Sequence, residues 1–426
     1  MRFIQAVNEQ KFDAFVRRHP TKSHFMQSPA WGEFCRIEKG QTPYLVGMED
    51  ESGSLCAAAL LLYRQPVRFI SYMYCPRGYV LDYNDGELLG EFSKCVETFA
   101  KEKGCAFVKI DPDIERRSIN SNGEKAEGFD NQAVIDRLVE LGYKHRGFNL
   151  GFEGREPRFT FRIDLMRDKA EIGKAIVGNV MKNVRKSHNY AVTVRKGTSK
   201  DVAELYRLIT ITSERDEFFA PSLSYYQSMF NCLDKSDMAT LFIGHVDPAK
   251  SVVMLENELD ELRKKRETLK KPGPLEESKI TEARLLREIA QFQKYAVDYP
   301  DGANISAHFV ISYGDKAWAV HAGSDKLMSE TFVNNRVYFE KIMDAKERGF
   351  KVLDQFGTVG NPQTSPLRGL HEFKAQFGGR YVEFIGEFDL VTRPLVYRLY
   401  TTLLPRYRSL RFGLKELARK LARKAG

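Results

Sequence analysis

The chain has 426 residues, 42% of them hydrophobic, and a formal net charge of +9. This length fits two or three domains with real cores. Six scattered cysteines without a C-x-x-C pair argue against a disulfide or metal framework and favour a reducing cytoplasm. We find no signal peptide, and the longest apolar run, residues 55–63, is too short to span a bilayer.

Alternating helical and strand patterns predict α/β structure along the chain. In the first part, helices are predicted at 7–18, 87–103 and around Leu138, and strands at 43–48, 55–63, 67–74 and 105–110. A polar loop, residues 118–128, separates the last strand from the last helix. In the second part, helices are predicted at 168–188, 200–215, 222–232, 330–348 and 368–377, and strands at 158–164, 239–245, 305–312, 351–356 and 380–388.

A weak internal repeat links the two parts. Residues 101–111 and 346–354 both read as a helix end, a glycine stop and a buried strand that ends in aspartate. Because the two segments stand at corresponding places, we interpret the chain as a duplicated domain.

The spacing of apolar residues changes at residues 249–297, and the new pattern predicts an antiparallel helical hairpin. Apolar residues recur at a spacing of three and four in both limbs, which makes a narrow seam for helix pairing. A break at Lys271-Pro-Gly-Pro274 separates the limbs, and strand patterns flank them, so the arm is inserted between neighbouring strands. Its basic tip, residues 263–271, suits either the phosphates of tRNA or an ordinary solvated surface.

The net charge resides in the C-terminal tail. Residues 393–426 hold ten Lys or Arg and one acid, Glu416, so this segment carries all of the +9 and residues 1–392 are neutral. Leu410, Leu414, Leu417 and Leu421 line one face of a predicted basic amphipathic helix. That pattern suits an anionic membrane surface, with nucleic acid binding or docking on the protein itself as alternatives.

An ordered set of short motifs resembles the Fem family of peptidoglycan-bridge peptidyltransferases over roughly residues 25–400. The motifs are Gln27-Ser-Pro-Ala-Trp-Gly32, Pro76-Arg-Gly78, Val108-Lys-Ile-Asp-Pro112, Pro157-Arg-Phe-Thr-Phe161, Ser213-Glu-Arg-Asp216, Tyr313-Gly-Asp-Lys-Ala-Trp318, Ala322-Gly-Ser324, Glu372-Phe-Lys-Ala-Gln-Phe-Gly378 and Tyr381-Val-Glu-Phe-Ile-Gly-Glu-Phe388. Each motif alone is unspecific, but the set together with the arm is distinctive.

The resemblance implies tandem GNAT-like domains with an inserted antiparallel helical coiled-coil arm. We place the first domain at 1–153, the second at 154–248 and 298–390, the arm at 249–297 and the tail helix at 391–426. It also implies transfer of an amino acid from aminoacyl-tRNA to the third-position amine of a peptidoglycan precursor, lipid-linked or nucleotide-linked, by a cytoplasmic enzyme peripheral to the membrane. This ester aminolysis needs alignment and oxyanion stabilisation. It needs no metal or other cofactor, and no histidine lies in a metal pattern.

By resemblance, Lys374 matches a lysine at the family's reaction centre, where a cation stabilises the tetrahedral oxyanion, and Phe373 precedes it in the same motif. The alternative for Lys374 is a solvated helix residue. Asp111 is the second catalytic candidate, since it could anchor the incoming amine or merely cap its loop.

Four further candidates are substrate-binding. Arg215 matches an arginine that binds the precursor's diphosphate, for which a planar guanidinium is suited, or it forms a surface pair. Tyr313 matches a tyrosine near the same substrate, or it is a core residue. Trp31 fits the core as well as a substrate site. A basic residue four positions after this Trp binds phosphate in part of the family, but Cys35 stands there, so Arg36 is the substitute candidate.

Two other functions remain open. An acyl-CoA-dependent GNAT N-acyltransferase would carry an [RQ]-x-x-G-x-[GA] phosphate loop, which we do not find. A non-catalytic tRNA- or membrane-binding protein would share the basic arm and tail. Tight CoA binding, or an absence of transfer activity, would distinguish these classes.

Overall fold

The computed structural model describes residues 1–402, which divide into two compact units. The first comprises residues 1–159, 359–361 and 382–402. Its elements are β1 (Arg2–Ile4), α1 (Glu9–Arg18), α2 (Pro29–Lys39), β2 (Thr42–Glu49), β3 (Leu55–Val67), β4 (Ile70–Cys75), α3 (Gly86–Glu102), β5 (Phe107–Ile110), β6 (Arg117–Ile119), β7 (Lys125–Asp130), α4 (Gln132–Glu140) and β8 (Tyr143–His145). The predicted tail helix lies outside the described residues from residue 403 onward.

The second unit comprises residues 160–358 and 362–381. From its first strand to the end of the described strands, the elements are β9 (Phe159–Asp164), α5 (Lys169–Ala175), α6 (Gly178–Lys186), β10 (Val192–Gly197), α7 (Val202–Arg215), α8 (Leu223–Asp234), β11 (Ala239–Val246), α9 (Pro248–Glu267), α10 (Pro272–Asp298), β12 (Ala303–Tyr313), β13 (Lys316–Ser324), α11 (Val333–Glu347), β14 (Val352–Asp354), α12 (Arg368–Ala375), β15 (Arg380–Glu383) and β16 (Phe388–Val391). The last strand, β16, belongs to the first unit's sheet.

Each unit is built on a seven-stranded mixed sheet, and the two sheets share one pattern. The first has the order β1-β2-β3-β4-β5-β16-β8 and the second β10-β11-β12-β13-β14-β9-β15. In both, the first four strands pair antiparallel and the fourth pairs parallel with the fifth. The fifth strands, β5 and β14, are the two strands of the sequence repeat, so the repeat segments occupy equivalent positions.

The helices α9 and α10 form the predicted hairpin between β11 and β12, which pair with each other antiparallel. Its seam is buried as the spacing predicts, at Leu255, Leu259, Leu285, Ile289 and Phe292. The limbs run antiparallel, since Arg263 binds Glu282 at 2.7 Å and Arg284 lies 3.6 Å from Glu258. Arg266 also binds Glu282, so two of the cations near the tip are already paired.

Several predicted boundaries differ from the structure. The strand predicted at 380–388 is two strands, and β16 joins the first sheet between β5 and β8, so the predicted end of the second domain at residue 390 differs from the observed division. The helix predicted at 168–188 is two helices, because Ile176 is extended at the end of α5. The predicted loop at 118–128 includes parts of the hairpin β6–β7.

Candidate functional site

A cavity of about 400 Å³ in the second unit brings together residues from five elements and the loop before α12. Its wall includes Arg215 from the end of α7, Ser324 from the end of β13, His308 from β12, Tyr338 from α11 and Phe373 from α12. Close packing of α7 on β13 explains the glycine of the Ala-Gly-Ser motif. A Cβ on Gly323 would lie 2.4 Å from the backbone nitrogen of Ile209, so only glycine fits there.

Arg215 lies at this cavity, as its candidate role requires. Its guanidinium forms a bidentate pair with Asp216, at 2.9 and 3.1 Å, and donates to the backbone carbonyl of Ser324 at 3.0 Å. The side chain is 28% exposed, so its planar guanidinium group is partly accessible to solvent. A diphosphate at this position would compete with the exposed carboxylate of Asp216 for the same donors.

Lys374 follows the cavity residue Phe373 on α12 and is partly buried. Its ammonium donates to the backbone carbonyl of Phe356 and, at 2.6 Å, to that of Gly357. Both of these residues have left-handed backbones, with φ of 50° and 45°, an arrangement that is costly for Phe356. Lys374 is therefore held by an ordered loop, which does not fit a solvated helix lysine.

Burial controls the charge of Lys374. Loss of hydration lowers the pKa of its amine from the ordinary 10.5 to about 8, and the carboxylate of Asp354 opposes this effect. Asp354 is itself held by Arg162 at 2.9 Å and by the backbone N–H of Phe356 at 2.8 Å. With a pKa of about 8, Lys374 is mostly a cation at neutral pH and can release its proton in mild alkali.

A second polar cluster, in which Lys341, His308 and Ser306 are buried, lies beside the cavity. Lys341 of α11 is 1% exposed, and its amine lies 3.2 Å from Nδ1 of His308. The other ring nitrogen of His308 lies 3.1 Å from Oδ1 of Asn334, which also accepts from Ser306 at 2.8 Å. Burial, and then the charge of Lys374, lower the pKa of Lys341 well below its ordinary value. Burial, and then Lys341, lower that of His308.

The first unit contains the other catalytic candidate, Asp111, which is 5% exposed at the end of β5. Its carboxyl accepts from the hydroxyl of Tyr74 at 2.9 Å and from the backbone N–H of Arg77 at 2.7 Å. Burial raises the pKa of Asp111 to about 8, with Glu156 adding to the rise and Arg77 opposing it. These contacts hold the loop at Arg77, whose φ is 61°, and so favour the loop-capping alternative.

The remaining candidates are not among the residues of the cavity wall. Trp31 is 5% exposed and packs on Phe25 and Phe34, with ring centroids 5.2 and 5.0 Å away, as a core residue would. Arg36 is exposed and binds Glu33 of its own helix at 2.7 Å. Tyr313 is buried at the far end of β12. It is five residues from His308, or about 17 Å along a strand.

The structure therefore brings Arg215, Phe373 and Lys374 to one region, and it adds Lys341 and His308, which the sequence reasoning missed. One pattern could have revealed Lys341. It lies on the apolar face of α11, four residues after Val337 and next to Ile342, where a lysine is unexpected.

Comparison with known proteins agrees with this fold. The FemAB family model matches residues 7–404. A "Lipid II:glycine glycyltransferase" from Staphylococcus haemolyticus (strain JCSC1435) is 28% identical over 414 residues, covering 94% of this chain and 95% of the relative. A protein of the same name from Staphylococcus aureus (strain MSSA476) is 26% identical over 437 residues, covering 98% and 99%.

A crystal structure of FemX has the same fold, with a TM-score of 0.79 at 24% identity, over 94% of this chain and 99% of that one. The family match covers nearly the whole chain, and the chain belongs to the FemAB family. It is an aminoacyltransferase, a class to which the named relatives also belong.

Proposed function

We propose that this enzyme transfers an amino acid from aminoacyl-tRNA to the amine of the third stem-peptide residue of lipid II, and so builds an interpeptide bridge. The observation that carries the proposal is the meeting of Arg215 and Phe373, from two motifs far apart in sequence, at one cavity with Lys374 adjacent. The names of the relatives support lipid II as acceptor and glycine as the amino acid.

The geometry around Lys374 suits ester aminolysis. Attack of an amine on an aminoacyl ester creates a negative oxygen on the tetrahedral carbon, and a fixed cation lowers the energy of that state. Two N–H groups of Lys374 are engaged by the carbonyls of Phe356 and Gly357. A third N–H remains for the substrate, because an ammonium has three donors.

Arg215 has the chemistry for the acceptor's diphosphate. Its guanidinium group is planar, partly exposed and located at the cavity wall. If a phosphate replaces Asp216 as its partner, Arg215 still forms a bidentate pair. In this arrangement Arg215 fixes the lipid-linked end of the acceptor, and Lys374 acts where the peptide amine meets the ester.

The donor is an aminoacyl-tRNA in this proposal, since the reaction needs an activated amino acid ester. Cations at the tip of the helical hairpin support contact with tRNA phosphates, although Arg263 and Arg266 are already paired with Glu282. Lys264 and Lys270 extend the same basic region. The predicted absence of a CoA phosphate loop argues against acetyl-CoA as the donor.

We place the enzyme at the cytoplasmic face of the membrane, as a peripheral protein. Within residues 1–402, no helix combines the length and the apolar character that crossing a bilayer requires. The sequence prediction of a basic amphipathic tail supports reversible attachment, with about 1 kcal/mol from each cation near an anionic surface.

The test offers purified protein a mixture of charged tRNAs with three acceptors: lipid II, its soluble nucleotide precursor and a stem peptide. Products are identified by mass, and acetyl-CoA replaces the tRNAs in a parallel reaction. We expect one added residue on lipid II from charged tRNA and no acetylation. Acetylation of the peptide amine without transfer from tRNA would identify an acyl-CoA enzyme. Binding of tRNA and lipid without any product would identify a non-catalytic protein.

A further inference from the structure

The cluster of Lys341, His308, Asn334 and Ser306 has no part in the function proposed so far. It is a continuous hydrogen-bonded chain that begins in the core of the second unit and ends at the cavity, because His308 and Asn334 line the cavity wall whereas Lys341 does not. Nδ1 of His308 faces Lys341, and the ring's other nitrogen, Nε2, faces Asn334, which is itself a residue of the cavity wall. Such a chain connects the place where substrate would bind with a buried base.

Lys341 is in surroundings that disfavour a charged ammonium. It is 1% exposed, and within the described residues no carboxylate pairs with it. Its contacts are His308 and the ring face of Tyr338, 3.2 Å from the amine to the centroid. The charge that acts on it most is another cation, Lys374. A buried, unpaired ammonium is costly, so the neutral amine with a free lone pair is favoured.

We propose that His308 and Lys341 form a proton relay for the transfer reaction, in which His308 takes the proton that the acceptor amine loses and passes another to Lys341. The relay rests on the aminoacyl transfer proposed above. Neutral Lys341 accepts from Nδ1–H of His308, and the lone pair of Nε2 then accepts from the amide of Asn334, which the substrate amine replaces when it binds. The amide of Asn334 satisfies either form of His308, since it can present its oxygen or its nitrogen.

The protons balance through one turnover. As the amine nitrogen bonds to the ester carbon, one N–H proton passes to Nε2 of His308 and the proton on Nδ1 passes to Lys341. The carbon–oxygen bond to the tRNA ribose then breaks, and the departing oxygen takes one proton from water. Lys341 returns its proton to solvent by the same path, so amine and ester give amide and hydroxyl with no net proton change.

The relay also assigns opposite roles to two nearby lysines. Lys374 has the carboxylate of Asp354 in its surroundings, which favours its cation, whereas Lys341 has only His308, Tyr338 and the repelling Lys374. Environments that separate the proton affinities of two groups distinguish the acid from the base at a site. In this scheme, Lys374 stays cationic for the oxyanion and Lys341 takes up the proton.

The first test uses His308→Ala and chemical rescue of lipid II transfer. We expect turnover to fall about 100-fold, as for loss of a general base. Added imidazole should restore at least tenfold, and 1,2,4-triazole, which has the same shape but is a weaker base, should restore much less. Undiminished turnover in His308→Ala, no rescue, or equal rescue by both compounds would overturn the relay. Equal rescue would mean that the compounds only fill the space left by the imidazole ring, since that effect does not depend on their basicity.

The second test uses Lys341→Met, with Lys346→Met of the same helix as the matched control, since Lys346 only donates to the backbone carbonyl of Leu165. Lys341→Met should lower turnover at least tenfold and move the acid limb of the pH profile to lower pH, because protonated His308 loses the neutral amine that accepts from its Nδ1–H. An unchanged acid limb in an otherwise folded variant would overturn the relay.

A third measurement does not depend on activity or on the folding of variants. Carbon-13 NMR of the lysine ε-carbons in the wild-type protein should show one lysine that titrates far below the others. Nitrogen-15 NMR should show His308 with its proton on Nδ1 at neutral pH. A Lys341 that titrates near 10.5 refutes the relay even if transfer is confirmed. If no charged tRNA supports transfer, the proposed function fails, and the relay for that reaction fails with it.

Discussion

Replacing Lys374 by Met should make the second unit's stability depend differently on pH. The pKa of Lys374 falls from 10.5 to about 8 in the folded protein, mainly through burial. At about 1.4 kcal/mol per unit of pKa, the protonated amine costs the fold about 3 kcal/mol below pH 8. Between pH 8 and 10.5 the unfolded chain binds more protons than the folded one, so the free energy of unfolding rises with pH.

Linkage over this range gives the expected size. From pH 7 to pH 10 the wild-type chain should gain about 2.5 kcal/mol in free energy of unfolding relative to Lys374→Met, which lacks the titrating group. The lost hydrogen bonds to Phe356 and Gly357 shift the difference by a similar amount at every pH, so they do not alter this slope. Transfer activity should meanwhile fall at least 100-fold, as for loss of one oxyanion-stabilising group.

The assay follows Trp318, which is 1% exposed in the second unit. The chain has two tryptophans, so a Trp31→Phe background leaves Trp318 as the fluorescent reporter of urea unfolding. Lys294→Met, on an exposed face of α10, serves as the control for loss of a surface lysine. A constant difference between Lys374→Met and its parent from pH 7 to 10 would refute the argument that Lys374 is a buried cation.

Other predictions concern the acceptor, the membrane and the hairpin. Arg215→Met should raise KM for lipid II at least tenfold while sparing a stem peptide without diphosphate, and Arg207→Met should change neither; an equal loss with both acceptors would remove the phosphate role. Deleting residues 406–426 should weaken binding to anionic vesicles, more so at low salt, and spare transfer to a water-soluble acceptor; tail-dependent binding to tRNA alone would indicate the donor instead. Phe292→Ala should destabilise the second unit by about 3–5 kcal/mol in urea unfolding, and Gln293→Ala by little; equal effects would mean that the seam is not packed as observed.

The local parts of the fold could be predicted from sequence. The hairpin of α9 and α10 could be predicted because its seam repeats every three or four residues and a Pro-Gly-Pro break separates the limbs. Helix α2 was missed although its signals are present, since Ser28 caps it and Pro29 opens it. The place of β16 was not predictable in this way, because its partners β5 and β8 lie more than 240 residues earlier and nothing local selects them.

Sequence motifs pointed to some of the residues at the candidate cavity. Arg215, Phe373 and Lys374 each lie in a family-like motif; Arg215 and Phe373 line one cavity, and Lys374 follows Phe373 on α12. Tyr313 also lies in such a motif, but the strand that carries it places it far from His308. Side-chain charge states could not be predicted from the sequence, since they depend on which groups are buried together.

Burying Lys341 and Lys374 within range of each other's charge is unfavourable for folding, and this is the strongest argument that the pair serves the chemistry. Each ammonium is partly stripped of water, and protonation of one raises the cost of protonating the other. A leucine or methionine at Lys341 would pack against Tyr338 without that cost. A lysine at this position is accounted for where a proton must be accepted and returned, because burial lowers the pKa of its amine and frees its lone pair. On this reasoning, a Lys341→Met variant should be at least as stable as the wild type while losing turnover.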